Sequence, residues 1–142
     1  MGAKPLQTLD TNVAIYAYTD LGTKAATAQS VIERSDFISV QLLNEFANAV
    51  RRKQGRDWSE IVPALARLRR AVPKILPLDE AAHIAAVRLA DRYQLGFYDG
   101  LMLSVALSGG ARTFYSEDMQ HGMTIDEILR VVNPFVPGAL DT

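Results

Sequence analysis

Short apolar runs alternate with helical segments along the whole chain, and this alternation constrains the fold more than any other feature. Leu6 to Leu9, Phe37 to Val40, Lys74 to Leu78 and Ala111 to Tyr115 read as strands. Thr124 to Val132 reads as a last strand-like segment before Asn133-Pro134. Between them the spacing predicts helices over Thr11 to Tyr18, Thr23 to Glu33, Ser39 or Gln41 to Arg52, Asp57 to about Arg70, Asp79 to Tyr93 and Tyr98 to Leu107. Leu42, Phe46, Ala49 and Val50 share one face of the third helix. Asp57 with Glu60 three residues on has the form of a capping box, and Gly109-Gly110 stops the last helix. Pro77 disfavours a long third strand. Strands alternating with helices argue for an α/β fold with a parallel sheet covered on both faces.

At 142 residues and 49% hydrophobic, the chain has the size of one domain, residues 1–142, with room for a core. No repeat, low-complexity tract or long linker divides it. The absence of cysteine excludes disulfides and thiolate metal sites, and two histidines argue against zinc. The apolar stretches fall far short of a membrane span, and M-G-A-K-P-L lacks a signal-peptide core, so a cytoplasmic location is expected and no membrane partner. A formal net charge of −1 does not advertise nucleic-acid binding, so any nucleic acid must be held by local basic patches and metal.

Four acids stand at the edge or centre of apolar elements. Asp10 ends the first strand, Glu45 lies in S-V-Q-L-L-N-E-F-A-N-A-V, Asp99 lies in L-G-F-Y-D-G-L-M-L, and Asp118 follows A-R-T-F-Y. A buried carboxylate costs several kcal/mol unless a cation or a full set of hydrogen bonds compensates it. Each residue has a simpler reading alone: a helix cap for Asp10, a first-turn acid for Asp99, a solvated face for Glu45, a loop for Asp118. Together they point to a shared hard cation such as Mg²⁺ or Mn²⁺, which takes oxygen ligands. In parallel sheets, sites form beyond the carboxyl ends of the strands, where Asp10 and Asp118 fall. The chemistry expected is phosphodiester hydrolysis by water activated by a divalent metal. Asp10, Asp99 and Asp118 would be ligands, and Glu45 a further ligand or the group orienting the water. Thr11, Asn12 and Ser116 would support them by hydrogen bonds. Glu117 competes with Asp118, and His121 stands within reach.

These segments resemble the PIN-domain ribonucleases, most closely the VapC-type toxins of toxin–antitoxin pairs. The matching pieces are L-D-T-N-V, N-E-F at Asn44 to Phe46, F-Y-D at Phe97 to Asp99, S-E-D-M-Q-H-G at Ser116 to Gly122, and V-V-N-P-F at Val131 to Phe135. The resemblance implies a three-layer α/β/α sandwich with a short parallel central sheet. It assigns the metal-site acids to Asp10, Glu45, Asp99 and Asp118. It also implies Mg²⁺ or Mn²⁺ dependence, endoribonuclease activity on RNA, a homodimer, and a cognate antitoxin. Many relatives carry Ala where Gly100 stands; Gly there would admit substrate or metal closely, or be neutral.

Other readings remain. One is a non-catalytic module whose acidic pocket holds a structural ion or a partner's Arg; another is a housekeeping nuclease of the same fold. A phosphotransferase using Asp10 as nucleophile is disfavoured, because Asn12 stands where D-x-D requires Asp. Arg51, Arg52, Lys53 and Arg56 serve either as cations at a helix C-terminus or as a phosphate-tracking rim. Trp58 and Leu65 offer docking surface for an amphipathic partner segment whose Arg reaches the acids.

Overall fold

The computed structural model describes residues 4–19 and 22–141; part of the N-terminal stretch read for a signal segment lies outside them. In chain order the elements are β1 (Leu6–Leu9), α1 (Thr11–Thr19), α2 (Lys24–Arg34), β2 (Ile38–Ser39), α3 (Val40–Lys53) and α4 (Trp58–Ala71). There follow β3 (Ile75–Leu76), α5 (Glu80–Tyr93), α6 (Phe97–Ser108), β4 (Ala111–Tyr115), β5 (Thr124–Ile125) and β6 (Leu129–Val132). They form a three-layer α/β/α arrangement.

The main sheet runs β1-β4-β6-β5, with β1, β4 and β6 parallel and β5 antiparallel at the edge. β2 and β3 form a separate parallel pair. It is tied to β1 by irregular bonds: Asp36 N–H donates to the Gln7 carbonyl (2.8 Å), and the Thr8 hydroxyl to the Phe37 carbonyl (2.6 Å). β3 is two residues long because Pro77, following directly, has no N–H to extend the ladder.

Local chemistry sets the helix starts. The Ser39 hydroxyl accepts the Leu42 N–H (3.0 Å), the Asp79 carboxylate accepts the Ala82 N–H (2.8 Å), and Glu60 reaches back to the Asp57 N–H (3.3 Å). α3 then buries Leu42, Phe46 and Val50 while turning Asn44 and Asn48 to solvent. The core between the layers gathers Leu9, Phe37, Leu42, Phe46, Leu103 and Phe114, all essentially without solvent contact. Each such side chain contributes about 1.5–3 kcal/mol on burial.

The final segment corrects one expectation. Thr124 to Val132 is a hairpin and not one strand. Ile128 N–H closes on the Ile125 carbonyl (3.0 Å) around Asp126 and Glu127, both with positive φ (51° and 61°). That is type I′ geometry, which Asn-Gly normally announces and Asp-Glu does not. The turn is held from outside. The Tyr93 hydroxyl accepts the Asp126 N–H (2.7 Å), and Arg88 grips the Asp126 carboxylate (2.7 and 3.3 Å). Tyr93→Phe leaves that N–H unpaired and should lower stability by about 1–2 kcal/mol in urea unfolding. An unchanged midpoint would show that the turn needs no such clamp.

Candidate active site

Asp10 stands just past β1, 6% exposed, at the carboxyl end of the sheet. Its N–H donates to the Tyr115 carbonyl (2.8 Å), and the next residue of β4's exit, Ser116, donates its own N–H to the Val132 carbonyl (2.9 Å). The parallel ladder therefore brings Asp10 and Ser116 side by side. The Ser116 hydroxyl, fully buried, donates to Asp10 Oδ2 (2.9 Å) and accepts the Met119 N–H (3.3 Å). Thr11 N–H donates to Asp10 Oδ1 (2.8 Å), and Thr11 Oγ1 donates to Glu45 Oε1 (2.7 Å). Gln41 adds a longer bond to Glu45 Oε2 (3.4 Å) from one turn earlier on α3.

Asp99 comes from the first turn of α6, half-buried, and Asp118 from the loop after β4, exposed. Asp10, Glu45, Asp99 and Asp118, with Thr11 and Asn12, line one cavity of about 560 Å³. Ser116 lies beneath Asp10. Among the described residues, no Lys or Arg forms an ion pair with any of the four acids. Burial pushes the Asp10 carboxyl up from the ordinary 3.8 to about 7, against the lowering by Ser116 and Thr11 and helped by the charges of Asp99 and Glu45. Burial also raises Asp99, with Glu45 and Asp118 adding repulsion.

The donor set is all oxygen and its negative charge is uncompensated, which fits a hard divalent ion in chemistry. As placed, no three Asp, Glu or His side chains among the described residues are close enough to surround one. The set thus suits an ion bound directly by one or two carboxylates, with water completing its shell. The Asn12 amide also fits a bound polar group. Neither its Oδ1 nor its Nδ2, both buried, finds a partner among the described residues, and the residue lines the cavity.

Two sequence candidates lie elsewhere. Glu117 turns away from the cavity to pair with Lys24 and to accept the Tyr16 hydroxyl (2.6 Å), which fastens the loop carrying Asp118 to α1 and α2. His121 Nδ1 accepts the Asn133 N–H (2.9 Å) just past β6, and the residue lines a different cavity with Arg130, Val132 and Val136. Gly100 admits neither substrate nor metal: it faces the backbone of α5.

A family model described as the PIN domain matches residues 8–122, most of the chain. The chain belongs to the PIN domain family. Comparison with curated proteins found no match. Among solved structures, this PIN domain is similar to that of VapBC2 from Rickettsia felis bound to a DNA fragment from their promoter (TM-score 0.64, 16% identity, 89% of this chain and 96% of that one). It is equally similar to a toxin–antitoxin complex from Klebsiella pneumoniae (TM-score 0.64, 19% identity, 91% and 98%). A third is VapC20 of Mycobacterium tuberculosis, a sarcin-ricin loop cleaving toxin (TM-score 0.64, 18% identity, 79% and 91%). At these identities the likeness establishes the fold. The PIN cavity also contains Asn48, which motif reading leaves out, and Ala49, read there as part of the apolar face; Arg52 and Lys53 of the expected basic rim line it too. The spacing of Asn48 and Ala49, three and four from Glu45 along α3, is the signal that would have found them.

Proposed function

We propose that this PIN domain is an Mg²⁺- or Mn²⁺-dependent endoribonuclease and the toxin of a cytoplasmic toxin–antitoxin pair. The observation that carries it is the convergence of four acids from four elements on one cavity, with no paired cation among the described residues. Asp10, Asp99, Asp118 and Glu45 would hold the ion, one or two of them directly and the others through its bound waters. When bound, it supplies the positive charge that lowers the pKa of water and offsets charge on the phosphate. Asp10 is pinned by Ser116 and the Thr11 N–H, so its carboxylate needs no rearrangement to act. Thr11 fixes Glu45 through Oε1, and Oε2, which takes only the long Gln41 bond, keeps a lone pair to orient the attacking water. The Asn12 amide offers its N–H to a phosphodiester oxygen and its carbonyl oxygen to a water.

RNA as substrate is supported by the activity named for the Mycobacterium toxin, and a cognate antitoxin by the toxin–antitoxin complex. A partner's Arg entering the cavity would pair with carboxylates and compete with the metal. Trp58 and Val62 on α4 are more than half exposed and offer its helix an apolar seat. Ile84 and Val87 on α5 are as exposed and suit the expected homodimer. No helix among the described residues is long and apolar enough to cross a membrane.

Two outcomes test this reading. Mg²⁺ or Mn²⁺ should raise the melting temperature by mass action, Mn²⁺ binding at least as tightly as Mg²⁺. A flat thermal titration together with no heat of binding in calorimetry would remove the metal. Expression of the chain alone should arrest growth, co-expression of the partner should restore it, and Asp99→Asn should need no rescue. A chain that cuts RNA yet is harmless alone would be a housekeeping nuclease.

A further inference from the structure

We propose that Arg52 and Lys53 form a phosphate-binding subsite for a polynucleotide strand lying along α3; this rests on the nuclease reading above. The solvent-facing side of α3 carries Asn44, Glu45, Asn48 and Arg52 at helical spacing. It floors more than the acidic cavity. A depression of about 430 Å³ adjoins at Glu45 and Asn48 and reaches Tyr98. Another of about 250 Å³ adjoins at Asn12, Lys53 and Asp118 and reaches Gln54. The three make one trough, with the acids in its middle.

Its two ends differ in chemistry. Toward Tyr98 the lining is Gln41 and Asn44, uncharged amides. Toward Gln54 it is Lys53, with Arg52 beside it in the central cavity. Four cations cluster at this end of α3, and the structure divides them. Arg51 pairs with Asp57 (3.6 Å), donates to the Arg56 carbonyl (3.0 Å) and stands over the Trp58 ring (5.6 Å). Arg56 pairs with Glu60 (3.1 Å). Arg51 holds α3 to the start of α4, and Arg56 ties the connecting loop to α4. Arg52 and Lys53 make no ion pair or side-chain hydrogen bond among the described residues, and both line the acidic cavity. A favourable helix-end charge is common to Arg51, Arg52 and Lys53 and does not account for this difference. A polyanion entering a cavity of four carboxylates is repelled along its length. Two cations at the mouth, unpaired among the described residues, offset that repulsion and select the phosphate beside the scissile one.

The test is binding of a labelled single-stranded RNA to the full chain by fluorescence anisotropy, in Mg²⁺ and in an Asp99→Asn background so that the strand is not cut. Arg52→Gln with Lys53→Gln should weaken binding about tenfold or more at low salt. It should also lower the slope of log affinity against log salt by about 1.4, the value for two single-strand phosphates. Arg51→Gln with Arg56→Gln should change affinity less than about twofold. The swap Arg52→Lys with Lys53→Arg should keep the affinity, which separates lost charge from lost packing, and melting curves should match the parent throughout. Parental affinity and slope in the Arg52/Lys53 double variant would overturn the subsite, as would an equal loss in the Arg51/Arg56 pair. If the wild-type chain cuts no RNA but these shifts appear, the nuclease reading falls and the subsite stands. If it cuts RNA and the Arg52/Lys53 variant binds normally, the subsite falls alone.

Discussion

Asp10→Asn and Asp99→Asn should each reduce RNA cleavage by a factor of roughly a hundred to a thousand, the scale of losing one preorganised charge-stabilising group. They should do so without unfolding the chain. Asn at position 10 keeps an oxygen for the Thr11 N–H and turns its amide to Ser116 Oγ, which can accept. Metal-free stability should move the other way. The folded-state pKa of Asp10, about 7, lies above its ordinary 3.8, so the folded chain holds this proton more tightly than the unfolded one. Its contribution is full below about pH 4 and is lost as pH rises toward and through 7. The whole gap corresponds to roughly 4 kcal/mol. Without metal, the wild type should therefore melt progressively lower from pH 5 to pH 8, and Asp10→Asn should flatten that decline. Melting curves across this range, run beside cleavage assays, check both halves. An inactive variant that had also unfolded would say nothing for a metal ligand, and a fully active one would end that role for its residue.

Gly100→Val should be the most damaging substitution outside the cavity. A β-carbon at Gly100 would stand 2.5 Å from the Ala86 carbonyl oxygen and 3.2 Å from the Ala90 nitrogen. Both are backbone atoms of α5 and cannot swing aside as a side chain can. Ala82, Ala86 and Ala90 make a small-residue stripe against which α6 lies, and the Ser104 hydroxyl donates to the Ala82 carbonyl (3.0 Å) one turn beyond Gly100. Valine must push the two helices apart, at a cost of about 3 kcal/mol or more. For a chain of this length that is a fall in melting temperature of roughly 10 °C. Asp99, the adjacent residue, would move with the helix, so cleavage should fall as well. Gly100→Ala should show the same sign at smaller size. A valine variant as stable as the parent would mean that the helices have slack at this crossing.

Gly100 also shows what the chain does not disclose by itself. Its neighbour Asp99 invites a functional explanation, yet the reason for glycine lies in Ala86 and Ala90 of α5, fourteen and ten residues away in sequence. Local rules read well wherever a short-range bond decides the structure: the Ser39 and Asp79 side chains start their helices, and the Glu60 side chain caps back onto Asp57. The acids were legible for a related reason, since a charge within an apolar run conflicts with its surroundings. The hairpin was not legible, because Asp126 and Glu127 adopt positive φ under the grip of Arg88 and Tyr93, and no glycine or asparagine marks the turn. Glu117 and Asp118 are adjacent and alike in sequence. Their separation, one fastened and one facing the cavity, depends on Lys24 at the start of α2 and Tyr16 of α1 reaching Glu117.

The most direct measurement is cleavage of RNA by the purified full chain with Mg²⁺ or Mn²⁺, with excess chelator, and with the metal restored, alongside Asp99→Asn. The account predicts cutting with either ion, none under chelation, recovery on restoration, and none from the variant under any condition. Cutting that persists under chelation, or that survives in Asp99→Asn at the wild-type rate, would contradict a metal-dependent site built on these acids.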